Sequence, residues 1–384
     1  MSNNYGPSIV TSGLVFAYDT GNTQKSWKGA PTTNLYSSNY GDTGTTDGFG
    51  GGSYLDTTVQ SATPLDSTIV FARKSNSGVA TWSISANLTA GTTYTYSIWC
   101  KTIAWTTVSM RRNEPGIYVQ ESKIVSVTPG QWTRVSFTFT VSTGKSGTQQ
   151  VGIGVGDANT GASNEGIFLY AAQLEQQSFM TSYTPSTRSN TQAIIDFTGN
   201  NTITANNLTY ASDGTFGFNG SSSWLEMPTS NVFDTQALTM ECWCKPTTTA
   251  QSGFLFEKGQ VNTQYSNFFN SDGTFYFRTK GLSTEDLTFI SASYISTSNW
   301  NHIVCTYGGG TKSIYVNGNR IAQQTSLTGS IPTGQTNQYV GKYGSASNQY
   351  PFSGSIVVSK VYNQALSSTE VLQNFNALRG RYGI

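Results

Sequence analysis

WNHIVCTYGGGTKSIYVNGNRIA, residues 300–322, reads as strand, glycine turn, strand and hairpin in immediate succession. The first strand opens on Trp300 and Gly308 to Gly310 break it. SIYV and NRIA then flank Asn317-Gly318, a dipeptide suited to the two-residue hairpin turn whose central residues both need positive φ. The pattern extends outward. Residues 239–245, TMECWCK, alternate as a strand and end in Trp243-Cys244-Lys245; residues 94–101, YTYSIWCK, end alike in Trp99-Cys100-Lys101. Each is followed, after a turn-rich stretch, by a strand opening on Trp: WNHIVCTY from Trp300 and WTRVSFTFTV from Trp132. In the latter, Val135, Phe137, Phe139 and Val141 alternate with Arg134, Ser136, Thr138 and Thr140, the period of two of a half-buried strand. A strand grammar repeated at unequal spacing predicts two β-sandwiches of one general kind.

Composition agrees. Of 384 residues 13% are aromatic and only 11% charged, with 40 Gly. Disordered chains lack aromatics, and the good helix formers at helical spacing are scarce. The chain is therefore read as all-β, with turns at Gly48 to Gly52, Gly144 to Gly147 and Asp157 to Gly161. The exception is SSTEVLQNFNALRGRYG (367–383). There Ser367 and Glu370 have capping-box spacing, and Val371, Leu372, Phe375 and Leu378 recur at helical intervals. This predicts a short C-terminal helix. A net charge of +1 without a basic run argues against nucleic-acid binding. No segment approaches the about 18 apolar residues of a membrane span. The opening MSNNYGPSIV lacks the basic start and apolar run of a secretory signal. Cys100, Cys242, Cys244 and Cys305 match no zinc or redox spacing and are expected to be buried thiols.

Residues 200–384 resemble a laminin-G-like, concanavalin-type jelly roll. FGFNGSSSWLEMP (216–228), LTMECWCKP (238–246), the 300–322 stretch and VGKYGSASNQYPFSGSIVVSKVYNQALSSTEV (340–371) occur in that family's order. Residues 33–187 resemble carbohydrate-binding modules of the family 4/9 type. The resemblance rests on TTNLYSSN (32–39), AGTTYTYSIWCKT (90–102), GQWTRVSFTFTV (130–141) and IFLYAAQLEQQSFMTSYTPST (167–187). The last segment is similar to the ends of such modules in virion proteins of tailed phages.

The start, SGLVFAYDTGNTQKSW (12–27), is one strand and a turn, too little for a domain. It resembles the first strand of the laminin-G-like proteins, which normally runs on into a segment like AIIDFTGNNTITANNLTY (193–210). The expectation is a discontinuous second jelly roll, residues 1–32 and 188–384, with a carbohydrate-module-like domain, residues 33–187, inserted in its first loop. Such insertion is tolerated where the host loop is exposed and the guest's ends are close. Residues 14–18 then need a partner, expected to be the closing strand at 354–362.

Catalytic signatures are missing. Jelly-roll glucanases set their acid and nucleophile carboxylates at alternate positions of one strand, and no Glu-x-Asp-x-Glu stretch exists. Glu285 and Asp286 are adjacent and would face opposite sides. The single histidine, His302, is read as a framework position, and a Ser or Cys nucleophile would need it as base. The family resemblances imply structural calcium held by Asp side chains and loop carbonyls, for which Asp157, Asp213, Asp234 and Asp272 are candidates without a clustered motif.

A binding surface remains. Trp99, Lys101 and Arg134 fall on the non-core side of their strands, with Trp105, Arg111 and Arg112 following, and an aromatic ring flanked by cations on an open sheet suits a glycan. The alternative is that Trp99 packs under a loop or against the neighbouring domain. Trp243 and Tyr315 pose the same question in the other domain. The expected function is a non-enzymatic structural protein on the virion surface of a tailed bacteriophage, a capsid decoration or fibre component, with other virion proteins as partners. It extends to host cell-surface glycans and to a homo-oligomer. The alternatives are a receptor-binding adhesin and an accessory module of a carbohydrate-active enzyme.

Overall fold

The computed structural model describes residues 7–36, 53–75, 80–114, 121–155, 166–259, 264–334, 336–344 and 350–384. The turns expected at Gly48 to Gly52 and Asp157 to Gly161 lie outside them. The chain divides into two compact units: residues up to Ala30 together with Ser189–Ile384, and Pro31–Arg188. Among the described residues both are antiparallel β-sandwiches, with one α-helix in the first, so the protein is all-β.

In the first unit an eight-stranded sheet faces a seven-stranded one. The eight-stranded sheet runs Thr209–Tyr210, Phe216–Asn219, Ser353–Tyr362, Leu238–Pro246, Asn301–Gly308, Thr311–Val316, Asn319–Gln324, and Leu14–Asp19 also pairs with Ser353–Tyr362. The seven-stranded sheet runs Thr204–Asn206, Trp224–Met227, Gln338–Val340, Gly253–Lys258, Tyr265–Phe269, Thr274–Thr279, Asp286–Ile290. Alternate residues of both meet in one core that includes Phe16, Phe216, Met240, Cys242, Phe256, Phe275, Phe277, Ile303 and Val340. The hairpin after residue 316 turns at Asn317 (φ 50°) and Gly318 (φ 80°), the paired positive φ values that its sequence calls for.

The first strand is held on two sides. Leu14–Asp19 pairs with residues 358–362 of the closing strand. From the other side, Asp196 Oδ1 accepts from Ala17 N at 3.0 Å, Phe197 N donates to the Ala17 carbonyl at 2.9 Å, and Thr198 Oγ1 and Asn200 Nδ2 donate to the Val15 carbonyl. The Asp196 carboxylate, 1% exposed, also accepts from Thr198 N, Asn201 N and Asn201 Nδ2.

The helix Ser368–Leu378 begins with the expected box: Ser367 Oγ accepts from Glu370 N while Ser367 N donates to Glu370 Oε2 at 2.8 Å. It lies on the outer face of the eight-stranded sheet over a buried polar network. Lys360 Nζ donates to Glu241 Oε1 at 2.7 Å and Asn374 Nδ2 to Glu241 Oε2 at 2.6 Å. His302 Nε2 is 3.2 Å from Glu241 Oε1. Trp243, far from being a surface ring, is fully buried against Tyr382, Phe375 and His302, because the helix covers its side of the strand. Tyr315 is buried too, packed with Val10, Val304 and Leu366.

In the second unit a five-stranded sheet, Ser53–Ala62, Ile69–Ser75, Gly166–Glu175, Thr93–Thr102, Thr133–Thr140, packs on a four-stranded one, Ala80–Leu88, Gly147–Val155, Thr107–Asn113, Glu121–Ser126. Tyr96, Ile98, Cys100, Met110, Phe137 and Ile153 fill the space between. Its ends pair with each other, Thr32 with Arg188 and Thr33 with Thr187, so the chain enters and leaves side by side.

Two outcomes follow. Asp196→Ala strands the Ala17 and Asn201 donors and is expected to lower stability by about 3 kcal/mol in chemical denaturation; an unchanged midpoint would deny the clamp. The second concerns acid. Burial lowers the pKa of His302, partly offset by Glu241. Burial alone would raise Glu241, but Lys360 and His302 outweigh it and hold the carboxyl down at about 2. Both groups bind fewer protons folded than unfolded, so both contribute stability at neutral pH that is lost on acidification. The loss begins below the ordinary histidine value of 6.5 and deepens from 4.5 towards 2. His302→Gln is expected to flatten the upper part of the stability–pH profile and to weaken the lower part, where Glu241 keeps Lys360 but loses His302.

Candidate functional site

The most chemically loaded surface is the outer face of the seven-stranded sheet in the first unit. Alternation puts it there. In TFYFRT (Thr274–Thr279), Phe275 and Phe277 enter the core while Tyr276 and Arg278 point out. Register aligns the outward residues of neighbouring strands into two rows. One is polar: Glu226, Tyr339, Glu257, Ser266, Arg278 and Asp286 stand opposite one another in turn. The other is aromatic: Phe254, Phe268 and Tyr276, with ring centroids 4.4 and 5.0 Å apart and nearly parallel planes. Tyr343 packs 4.9 Å from Phe254, and the exposed Tyr350 lies 5.7 Å from Tyr343.

Each charge on this face has a distinct setting. Arg278 grips Asp286 through two bonds, 2.7 and 2.8 Å, and lies over the Phe268 and Tyr276 rings. Glu226 accepts from Asn337 Nδ2 at 2.6 Å. Glu257, 2% exposed, accepts from Gly344 N at 2.7 Å, and burial pushes it up to about 8. Lys342 lies with its ammonium 4.2 Å from the Trp224 ring centroid and 4.5 Å from that of Tyr339. Glu257, Ser266 and Arg278 line a shallow depression. Phe254, Phe268 and Tyr343 are buried, so the half-buried Trp224 and Tyr276 and the exposed Tyr350 are the rings that meet solvent beside these donors and acceptors. Pairing fixes the strand residues, while Lys342, Tyr343 and Tyr350 follow the strand Gln338–Val340.

The residues singled out in the second unit do not form one site. Trp99, Lys101 and Arg134 share the outer face of the five-stranded sheet. Arg111 lies on the outer face of the other sheet, and its Nε donates to Ser109 Oγ. Arg112, placed on a surface by the sequence, is instead interior: 2% exposed, paired with Glu114 and Glu121 and lying 4.9 Å from the Phe139 centroid. The two arginines are consecutive in the strand, which sends them to opposite sides. Trp105 packs against the interior cluster. Arg134 is tied down as well, donating to the Thr181 carbonyl at 2.7 Å and to Ser97 Oγ at 3.0 Å. The segment after Glu175 folds over this face. Glu175 accepts from Gln173 Nε2, Thr181 N and Thr181 Oγ1, and Tyr183 packs with Trp99, Phe168 and Tyr170. Lys101 Nζ donates to Ser61 Oγ.

The remaining candidates have structural roles. Glu285 pairs with Lys280 and Asp286 with Arg278. The four cysteines are free and buried, and burial raises Cys100 and Cys305 to about 12. Asp213 and Asp272 accept from backbone N–H groups of their own turns, and Asp234 pairs with Lys258. They lie in separate loops, and no group of three His, Cys, Asp or Glu that could hold a metal occurs among the described residues. These three aspartates do not fit a shared calcium site; Asp157 lies outside the described residues. No helix there is long and apolar enough to cross a membrane.

Residues 219–372 match the laminin-G family model described as the Concanavalin A-like lectin/glucanases superfamily. That span holds the aromatic face from Trp224 to Tyr350. No curated protein matches the chain in sequence. Among solved structures, the binding domain of botulinum neurotoxin DC, in complex with SialylT, is 15% identical, covering 50% of each chain with a TM-score of 0.39. The binding domain of Paraclostridial mosquitocidal protein 1 is 18% identical, covering 48% of this chain and 49% of that one, with a TM-score of 0.38. The chain thus spans about half the length of these proteins.

Because Trp99 packs half-buried against the cluster of Val70, Phe168 and Tyr170, Trp99→Ala is expected to destabilise the 31–188 unit by about 2–3 kcal/mol. Thermal melting of the whole chain reads this as an early transition. An unaltered melt would return Trp99 to the surface.

Proposed function

We propose that the protein is a non-enzymatic glycan-binding protein and that the outer face of the seven-stranded sheet is its binding surface. One observation carries the reading: an aromatic row and a polar row run side by side across adjacent strands. A sugar ring presents an apolar face edged by hydroxyls. It stacks on an aromatic side chain and exchanges hydrogen bonds with fixed polar neighbours, the mixture found in ligand sites generally.

Two carboxylates, Glu226 and Glu257, share this face, a pairing not readable from the sequence. Their setting favours recognition over hydrolysis. Glycosidic acid–base pairs flank an open gap that admits the scissile bond and a water. Here Tyr339 occupies the strand between them, and both carboxylates are already engaged, Glu226 by Asn337 and Glu257 by Gly344.

The setting we infer is the virion surface of a tailed bacteriophage, as capsid decoration or fibre component, with other virion proteins as neighbours and host cell-surface glycans as ligands. What supports it is the hydroxyl-rich all-β composition and the resemblance of residues 167–187 to module ends in phage virion proteins. A receptor-binding adhesin would use the same face.

A glycan array with the full chain tests the binding reading. Tyr276→Ala removes one half-exposed ring and is expected to weaken binding roughly tenfold to a hundredfold with little change in melting temperature. Release of reducing ends from any bound polysaccharide, abolished in Glu257→Gln, would overturn the non-enzymatic assignment. An array without binding would leave architecture as the role.

A further inference from the structure

We propose that Lys342 is the anion contact of this face, so that the glycan it takes carries carboxylate or sulfate groups. The inference rests on the glycan-binding reading and names the ligand's chemical class.

Lys342 is 3% exposed, and its ammonium is framed by the Trp224 and Tyr339 rings. Among the described residues no oxygen accepts from it, and it forms no ion pair. The ring faces attract the cation but accept no hydrogen bond. An ammonium carries three donors, and Lys342 Nζ is not fully enclosed, so the donors that no protein oxygen takes face solvent. The other buried lysines show the contrast. Lys360 pairs with Glu241, Lys258 with Asp234, and Lys312 donates to the Thr284 and Glu285 carbonyls. Lys342 alone among these four has no protein acceptor for its donors, and it stands at the end of the aromatic face. A sugar bound at the edge of the Trp224 and Tyr339 rings would bring a substituent oxyanion to the ammonium that lies over them. A lysine is a compact point charge, so carboxylate and sulfate both suit it.

The surrounding groups leave this charge in force at neutral pH. Arg278 is neutralised by Asp286. Glu257 is protonated below about 8, so it does not offset the ammonium. Tyr339 and Tyr343 are raised, by burial first, and stay neutral. Glu226 is the one carboxylate facing the site without a cation bonded to it, and it is held by Asn337. Burial lowers the pKa of Lys342 itself, offset in part by Glu226 and Glu257. Raising the pH past about 8 therefore adds a negative charge at Glu257, which weakens anion binding.

The test compares polygalacturonate with its carboxyl-reduced form, and dextran sulfate with dextran, by equilibrium binding to the full chain. Wild type is expected to prefer a charged polymer about tenfold to a hundredfold over its neutral counterpart, with affinity falling above pH 8. Lys342→Met keeps the stem and is expected to erase the preference; Lys342→Arg is expected to restore it. Preference for only one polyanion, lost in Lys342→Met, supports the inference and identifies the group. Equal binding of charged and neutral forms, lost in Tyr276→Ala, overturns the anion contact and keeps the glycan face. A preference that persists in correctly folded Lys342→Met overturns it too, by placing the anion elsewhere. Binding of neither form overturns both readings.

Discussion

The strand Ser353–Tyr362 has two backbone edges, and everything in the first unit depends on how they are filled. Leu238–Pro246 takes one edge along its length. The other is shared end to end: Phe216–Asn219 pairs with residues 353–355 and Leu14–Asp19 with residues 358–362. An unpaired half-edge would leave backbone donors and acceptors buried without partners, beside the fully buried Tyr18 and Tyr362. The N-terminal strand is thus a structural necessity for its pairing partners at residues 358–362, at the other end of the chain. The pairing of Thr32 and Thr33 with Arg188 and Thr187 shows how the intervening segment can be long without straining it.

The helix completes the same sheet. On its outer face the strand residues are Glu241, Trp243, His302, Lys360 and Tyr362, a mixture that neither water nor a hydrocarbon core accommodates. Asn374 of the helix supplies a donor to Glu241, while Phe375 and Leu378 cover Trp243 and its neighbours. A buried ion pair of this kind adds little net stability over an apolar one, yet removing either partner costs about 3–5 kcal/mol. It fixes where the helix sits more than how tightly it holds.

Alternation made the strands legible. Residues 133–140, the Asn317-Gly318 turn and the Ser367–Glu370 box are local patterns, and local patterns are readable from one segment. The outer aromatic face was not legible, because its rows are composed by register. Glu226 meets Tyr339 across more than a hundred residues, and Tyr339 meets Glu257 from the other side of the sheet order. TFYFRT announces an outward Tyr276 and Arg278 but not that Phe268 and Asp286 stand beside them. The opposite error arose at Trp99 and Trp243. Alternation assigns both to the non-core side correctly, but cannot say that residues 176–186 in one case and the C-terminal helix in the other cover that side. Arg112 failed for a simpler reason: a cation was assumed to face water, whereas Glu114, Glu121 and Gln149 make an interior place for it.

The scarcity of charge links these observations. With 21 basic and 20 acidic residues in 384, most of the protein's polar side chains are hydroxyls and amides. Many of the charges present are internal fasteners. Arg112, Glu114, Glu175, Glu241, Lys258, Lys312 and Lys360 are each at most 3% exposed. In such a chain a charge has to have a reason to be where it is, since a Ser or Thr would have served the surface. The fasteners explain themselves through their partners. Lys342 does not, and its neighbours are the rings of a face that the rest of the sandwich leaves uncovered by any helix. A cation framed by two rings with no protein acceptor, in a protein whose other buried lysines each find one, is organised for something that arrives from solution.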